Sequence, residues 1–458
     1  MRNLDGVFTS ITRRNVQTRY KLLDKVNREI TQRLESSLHN VVPLELLKER
    51  QLEQAQRLWD VEVKIGKRPT YQLSPQTSIT QVFDDTGGKL LILGAQGAGK
   101  TTTLLELAKD LVARAENDPK QPIPVLFNLS SWQEDKQSIA EWLVVELQAK
   151  YSVRVYIAKQ WIEQQQLLPL LDGLDELDLT RQERCIEALN QLLEGKHRQQ
   201  QLVVCTRLED YKSCNNWLRL HGAVYLRSLT EAQIRDYLMG VRSRELWENI
   251  KTEPTLLALA KTPLLLCLMT LAYEEILIHS WKRLTSKEER QVYLLNAYIR
   301  RMLTRDINRR WYRQGKEPRS EKTRYWLIWL AKKMKQEKQT EFLIESIQPS
   351  WLPTYTQKQI YRIAPALVLG LVAAVGCGLW GGGIFGLVGG LIGVLISTIP
   401  GVRYFTLRLL LCWNGYIPWN YTRFLNYASE RLLMQRFDRR YLFIHDLLQE
   451  HFAQMPLN

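Results

Sequence analysis

Cysteine is scarce in this chain of 458 residues: Cys185, Cys205, Cys214, Cys267, Cys377 and Cys412 form no CxxC pair and no metal-ligand spacing. That argues against a disulfide framework or a zinc site and for reduced thiols in a cytosolic setting. The opening MRNLDGVFTSITRRNVQTR lacks an apolar core and a small-residue cleavage site, so a signal peptide is not expected. No repeat recurs at solenoid periods. Acid is in short supply: Asp and Glu number 48 against 63 Lys and Arg, a formal charge of +15, which puts nucleic acid, anionic lipid and nucleotide phosphates first among partners. Residues 363–402 lack charge altogether. The rest is globular in composition, 45% hydrophobic and 24% charged, which excludes wholesale disorder and gives length for about two or three domains.

Within residues 1–65, Leu22, Val26, Ile30, Leu34 and Leu38 recur at steps of four. They predict a helix with one apolar stripe, and Leu47, Leu58 and Trp59 beyond Pro43 predict a second. The stripe is expected to pack against its own domain, an oligomerisation seam being the alternative. RPTYQLSPQTS (68–78) reads as a linker within residues 66–89. From 90 to 229 the runs LLILG (90–94), IPVLFNL (123–129), LLPLLDGL (167–174), QLVVCTR (201–207) and AVYLRSL (223–229) alternate with TTTLLELAKDLVARA, IAEWLVVELQAKY and RQERCIEALNQLLEGKH, which are amphipathic at helical period. That alternation predicts an α/β fold, a parallel sheet with helices on both faces. Beyond Thr230 the strand signals stop, and helices are expected to about Ser346.

The first run opens onto Gly94-Ala95-Gln96-Gly97-Ala98-Gly99-Lys100-Thr101, the GxxxxGK[ST] pattern, with Thr102 following. Glycines let backbone N–H groups turn onto the phosphates of ATP or ADP, Lys100 supplies a charge for the β and γ phosphates, and the Thr101 hydroxyl is a Mg²⁺ ligand. The third run ends in Asp172-Gly173-Leu174-Asp175-Glu176. A strand ending in acids beside a phosphate loop is where metal and attacking water must sit. Asp172 is therefore assigned to Mg²⁺, and Asp175 with Glu176 to the water. Arg207 ends the next strand and is expected at the same sheet edge, as a γ-phosphate sensor or as a strand-end ion pair.

These residues resemble the NACHT family of STAND-type signalling ATPases, which includes the NOD-like receptors; GAQGAGKT, DGLDEL and VVCTR carry the likeness. TPLLL (262–266) is similar to the family's proline motif, and FIHDLLQEHFA (443–453) to the FxHxxxQEFFA segment of its winged-helix domain. The resemblance implies that Pro263 touches adenine and that His445 holds the β-phosphate of ADP in a closed form. It implies a P-loop NTPase core at 90–229, a helical domain at 230–285 and a winged-helix-like region at 286–362 and 403–458. The arrangement looks most like the bacterial membrane-linked type. Two departures stand out: no leucine-rich, WD or TPR array and no death-fold, TIR or nuclease effector is recognisable, so trigger and effector partners stay unassigned. Guanine-reading NKxD and the transporter signature LSGGQ are absent, so other P-loop classes fit less well.

Residues 363–380 and 384–402 are each long enough to cross a bilayer, with Gly381-Gly382-Gly383 as the turn. Lys358, Arg362, Arg403 and Arg408 flank them. A two-pass hairpin in the cytoplasmic membrane would leave the NTPase and both termini in the cytoplasm; a buried hydrophobic hairpin in a soluble domain is the alternative. Trp351, Tyr355, Tyr361, Tyr404, Trp413, Tyr416 and Trp419 are expected at the membrane interface. Gly378, Gly382, Gly386 and Gly390, with Gly389 and Gly393 offset, are read as packing within the hairpin, association between protomers being the alternative. Residues 300–324, with ten basic residues against three acids and with Trp311, Trp326 and Trp329 in or near them, face either lipid headgroups or solvent. Nucleic acid is disfavoured for want of a reading motif. The expected function is a membrane-tethered signalling switch, in stress or defence, that closes on ADP, opens or forms a homo-oligomer on ATP, and hydrolyses ATP slowly. A membrane-working transport or remodelling ATPase and a non-catalytic nucleotide-dependent scaffold stay open as alternatives.

Overall fold

Strands buried on both faces need continuous apolar runs, and four of the five runs between residues 90 and 229 form such strands, while the fifth alternates buried and half-buried residues. The computed structural model describes residues 2–38, 61–65, 71–72, 78–132, 137–194, 199–307, 310–313, 315–381, 388, 391–392, 394–396 and 399–457. The chain divides into two units, Met1–Arg301 and Met302–Asn458. The helix expected from Leu47, Leu58 and Trp59, most of the linker at 68–78, the Gly382-Gly383 turn and much of 384–398 lie outside the described residues.

In the first unit the strands are β1 (Val61–Ile65), β2 (Tyr71–Gln72), β3 (Lys89–Gly94), β4 (Ile123–Asn128), β5 (Leu167–Asp172), β6 (Leu202–Arg207) and β7 (Gly222–Leu226). They make one sheet in the order β2-β1-β7-β3-β6-β5-β4. The five strands β7 to β4 run parallel, as expected. β1 and β2 correct the sequence reading: residues 61–65 were expected in a helical region and 71–72 in a linker. Both instead add antiparallel strands beyond β7. VEVKI alternates apolar and charged residues at the strand period, but over too few residues to stand out against its surroundings. The connecting helices start where polar side chains satisfy their first N–H groups. Ser138 with Glu141 and Thr230 with Gln233 form capping boxes for Ile139–Tyr151 and Glu231–Gly240.

The N-terminal helix Arg2–Glu35 packs against its own unit. Leu22, Leu23, Val26 and Ile30 are at most 2% exposed, so the stripe is a domain contact and not an open oligomerisation seam. Polar groups fix its seat on the helix Lys100–Asn117 and around β4. Arg19 donates to the carbonyls of Ala115 and Gln121. Glu29, 5% exposed, sits between Lys150 Nζ at 3.0 Å, Arg33 Nη2 at 3.1 Å and the Tyr151 hydroxyl at 2.9 Å.

The second unit surrounds a small sheet in the order β8-β10-β9, made by β8 (Phe342–Leu343), β9 (Met434–Phe437) and β10 (Arg440–Phe443). An aromatic cluster fills its core: Trp329 lies 5.3 Å from Trp351 between ring centroids, Phe342 5.6 Å from Trp351 and Trp326 5.0 Å from Phe424. This corrects one expectation: Trp351, 1% exposed, is core and not a membrane-interface residue, and Trp329, 2% exposed, packs beside it. Tyr416 stacks on Trp329. The helix Tyr355–Gly381 stands apart from this core. Its stretch Tyr355–Val375 is, among the described residues, the one unbroken helix long and apolar enough to cross a membrane, and 6% of its most apolar window is buried.

Two stability measurements follow. Glu29→Ala leaves Lys150 buried without its carboxylate and should cost about 3–5 kcal/mol, read as a lower urea midpoint of the full chain. His451 is buried near Arg324, and burial first, then that guanidinium, push its imidazole down to about 4. The unfolded ring takes its proton near the usual 6.5. Stability should therefore be full above that pH and fall by on the order of 3 kcal/mol as pH drops to about 4, and His451→Gln should flatten this part of the thermal midpoint's pH profile.

Candidate functional site

Strand register brings the motif residues to one edge. Gly94 is level with Arg207 on β6 and Leu226 on β7, and Asn128 is level with Asp172 on β5. All five stand at the C-terminal ends of their strands, where open α/β sheets bind ligands.

The loop between β3 and the helix Lys100–Asn117 turns through Gly97 and Gly99, at φ 75° and 95°, a region that side chains strain to enter. Gly99 is the N-cap of that helix and offers it no side-chain hydrogen bond. Its first N–H groups and positive dipole end are thus left for an anion, unlike the helices capped by Ser138 and Thr230. Lys100 Nζ folds back onto the carbonyls of Gly94 and Ala95, at 3.2 and 3.1 Å. Gln96 Nε2 is buried without a hydrogen-bond partner, a donor within the loop that a bound phosphate would satisfy.

Thr101 Oγ1 donates to Asp172 Oδ2 at 2.7 Å. Hydroxyl and carboxylate, 71 residues apart in sequence, form the paired oxygen set that Mg²⁺ takes beside phosphates. The residues present therefore fit the metal. Beyond Asp172 the chain turns at Gly173, φ 78°. A Cβ there would stand 2.7 Å from Asn128 Oδ1 and 2.8 Å from Glu176 Cδ. The Glu176 carboxylate is thus folded over Gly173 beside Asn128, a residue the sequence reading missed because a polar residue ending an apolar run looks like the start of any loop.

Asp175 and Arg207 differ from their simplest expectations. Arg207 reaches the expected edge and forms an ion pair there, Nε to Asp175 Oδ2 at 2.7 Å, with Asp210 at 4.0 Å. Burial pushes the Asp210 carboxyl up, and Arg207 pulls against it. Asp175, 9% exposed, therefore answers Arg207, and Glu176 is left as the carboxylate beside the loop. Beneath them burial holds the Cys205 thiol well above its ordinary value, so it stays protonated and takes no part in the chemistry.

Pro263 comes to the loop from the start of the helix Pro263–Ala272. Leu264 N–H donates to the Gly97 carbonyl at 3.2 Å, and a Cβ on Gly97 would lie 2.9 Å from Leu264 Cβ and 3.1 Å from Thr262 Cγ2. The TPLLL segment is packed on the phosphate loop. His445 belongs to the second unit, as N-cap of the helix Asp446–Gln454. Leu447 N–H donates to its Nδ1 at 3.1 Å, so the neutral ring carries its proton on Nε2.

A lysine-tipped glycine turn, a hydroxyl–carboxylate pair and an arginine from the intervening strand meet at one sheet edge. Residues 89–245 match the NACHT domain family. The match is to a P-loop NTPase module, and it implies nucleotide binding, usually with Mg²⁺. Pro263 and His445 lie beyond the matched residues. No curated protein matches the chain. Among solved structures, Cdc6p from Pyrobaculum aerophilum is similar at 12% identity over 83% of this chain and 96% of that one, with a TM-score of 0.29, a likeness too weak to carry an argument.

The contact at Gly97 is testable. Gly97→Ala forces a side chain into left-handed backbone and against Leu264, and should weaken ADP binding about tenfold or more by calorimetry. Unchanged affinity would show that the loop does not need this packing.

Proposed function

We propose that the chain is a membrane-tethered NACHT switch, closed on ADP and opened to a homo-oligomer on ATP, with slow hydrolysis as its reset. The packing of Thr262-Pro263-Leu264 on Gly97 carries this reading. A loop that must adapt to phosphates shares a backbone hydrogen bond with the first turn of a helix outside the matched NACHT residues, so occupancy of the site is felt by the segment that follows it. In the second unit, the helix Ser320–Gln336, the helix Tyr421–Glu430, the β9–β10 hairpin and the helix Asp446–Gln454 are read as a winged-helix-like domain. His445 Nε2–H is its donor for the β-phosphate of ADP.

The chain's own groups divide the work. Loop N–H groups and Lys100 hold the β and γ phosphates. Thr101 and Asp172 would hold Mg²⁺, which supplies neutralising charge at those phosphates. Glu176, beside Asn128, orients the attacking water and takes its proton, while Asp175 holds Arg207 in place to face the γ-phosphate. Tethering is supported by the apolar helix Tyr355–Gly381, where Leu367, Val368, Leu371 and Val372 are 60–69% exposed. Gln357 Nε2 donates to Asn414 Oδ1 at 2.9 Å, and this contact between the two flanks of the apolar segment supports the hairpin reading.

The nucleotide content of detergent-purified full chain tests the switch. ADP should co-purify with the wild type, be lost in Lys100→Ala and be much reduced in His445→Ala, while Glu176→Gln keeps its nucleotide and loses about a hundredfold in turnover. Absent nucleotide with rapid turnover indifferent to His445 would favour a membrane-working ATPase instead.

A further inference from the structure

The helix Pro400–Trp413 buries Leu407 and Leu411 and turns Phe405, Leu409 and Trp413 outward at steps of four, 58%, 37% and 83% exposed. Between its outer face and the chain at 417–422 lies a cavity of about 310 Å³. Phe405, Leu409, Ile417 and Trp419 line it with apolar surface, and Arg408, Asn420 and Thr422 with polar groups. Arg408 is half-buried and held in place: Nη2 donates to the Trp419 carbonyl at 3.1 Å, and the guanidinium lies over the Tyr404 ring at 5.9 Å. No carboxylate lines the cavity. The sequence holds no Asp or Glu between Glu345 and Glu430, whereas Lys358, Arg362, Arg403, Arg408 and Arg423 fall in that interval.

A fixed guanidinium in the wall of a largely apolar cavity that no carboxylate lines selects an amphiphile with an anionic head. The cavity lies on the helix that follows the apolar segment, and two of its lining residues, Phe405 and Trp419, are themselves exposed. On the membrane-tethered reading, which this inference deepens and depends on, these aromatic residues lie at headgroup depth. The geometry points to a site for one anionic phospholipid. Its phosphodiester pairs with Arg408 and accepts a hydrogen bond from the Thr422 hydroxyl, and its acyl chains run along Phe405 and Leu409 toward the bilayer.

The full chain, reconstituted in vesicles of phosphatidylcholine with phosphatidylglycerol, is re-extracted in detergent, and its retained lipid is counted by mass spectrometry. The wild type should retain phosphatidylglycerol over phosphatidylcholine by about fivefold relative to the mixture. Arg408→Gln should bring the ratio to about one, Arg408→Lys should restore part of it, and Arg403→Gln, outside the cavity, should leave it unchanged. Equal loss in Arg403→Gln would mark diffuse surface charge and overturn the site. So would an unaltered ratio in Arg408→Gln, or an Arg408-dependent dimer with no lipid preference. Alkaline carbonate separates the two readings: release of the wild type from the vesicles overturns the tether itself, whereas retention without headgroup preference overturns the lipid site alone.

Discussion

Strand register is the constraint on which the nucleotide site depends. Side chains alternate faces along a strand, so a slip of one residue would turn Asp172 to the other side of the sheet. The pairing of β3 with β6 and of β4 with β5 sets Gly94, Asn128, Asp172 and Arg207 at a single edge. Thr101 then meets Asp172 across β6, although β3 and β5 are not neighbours. The intervening strand also delivers Arg207 to Asp175. A hydroxyl, two carboxylates and a guanidinium thus take their places from the backbone ladder, with the local turns at Gly97, Gly99 and Gly173 finishing the alignment.

Four of the five central strands were legible because strands buried on both faces must be continuously apolar, and the phosphate loop was legible because its glycines have a steric reason. Sheet order was not legible: nothing local in VVCTR says that it inserts between β3 and β5. β1 was hidden by brevity, and Asn128 by its resemblance to any residue leaving a strand. Thr262 and Leu264 are ordinary residues whose importance comes from a contact with Gly97 across more than 160 positions of the chain. Only the resemblance drew attention to Pro263 between them.

Aromatic residues show a different limit. Trp351 and Trp413 look alike in sequence, each near the charge-free segment, yet one is 1% and the other 83% exposed. Composition cannot separate a buried tryptophan from an exposed one, since both carry the same apolar face and polar handle. The packing partners decide: Trp351 meets Trp329 and Phe342, whereas Trp413 ends a helix whose outward stripe meets none of them. The missing charge at 363–402 was plain in the sequence, and the exposure of the helix Tyr355–Gly381 is its structural counterpart.

The seat of the N-terminal helix has a consequence for biosynthesis. Glu29 and its apolar neighbours leave the ribosome well before Lys150 and Tyr151, the latter 122 positions further on. For that interval a helix with an uncovered Leu22, Leu23, Val26 and Ile30 stripe waits for a surface that has not been made, the kind of transient exposure that invites aggregation. The charges that later surround Glu29 reach it only once β4 and the helix after it are complete. This helix therefore settles only after residues more than a hundred positions downstream have been made, and contacts of that range slow the closing of its unit.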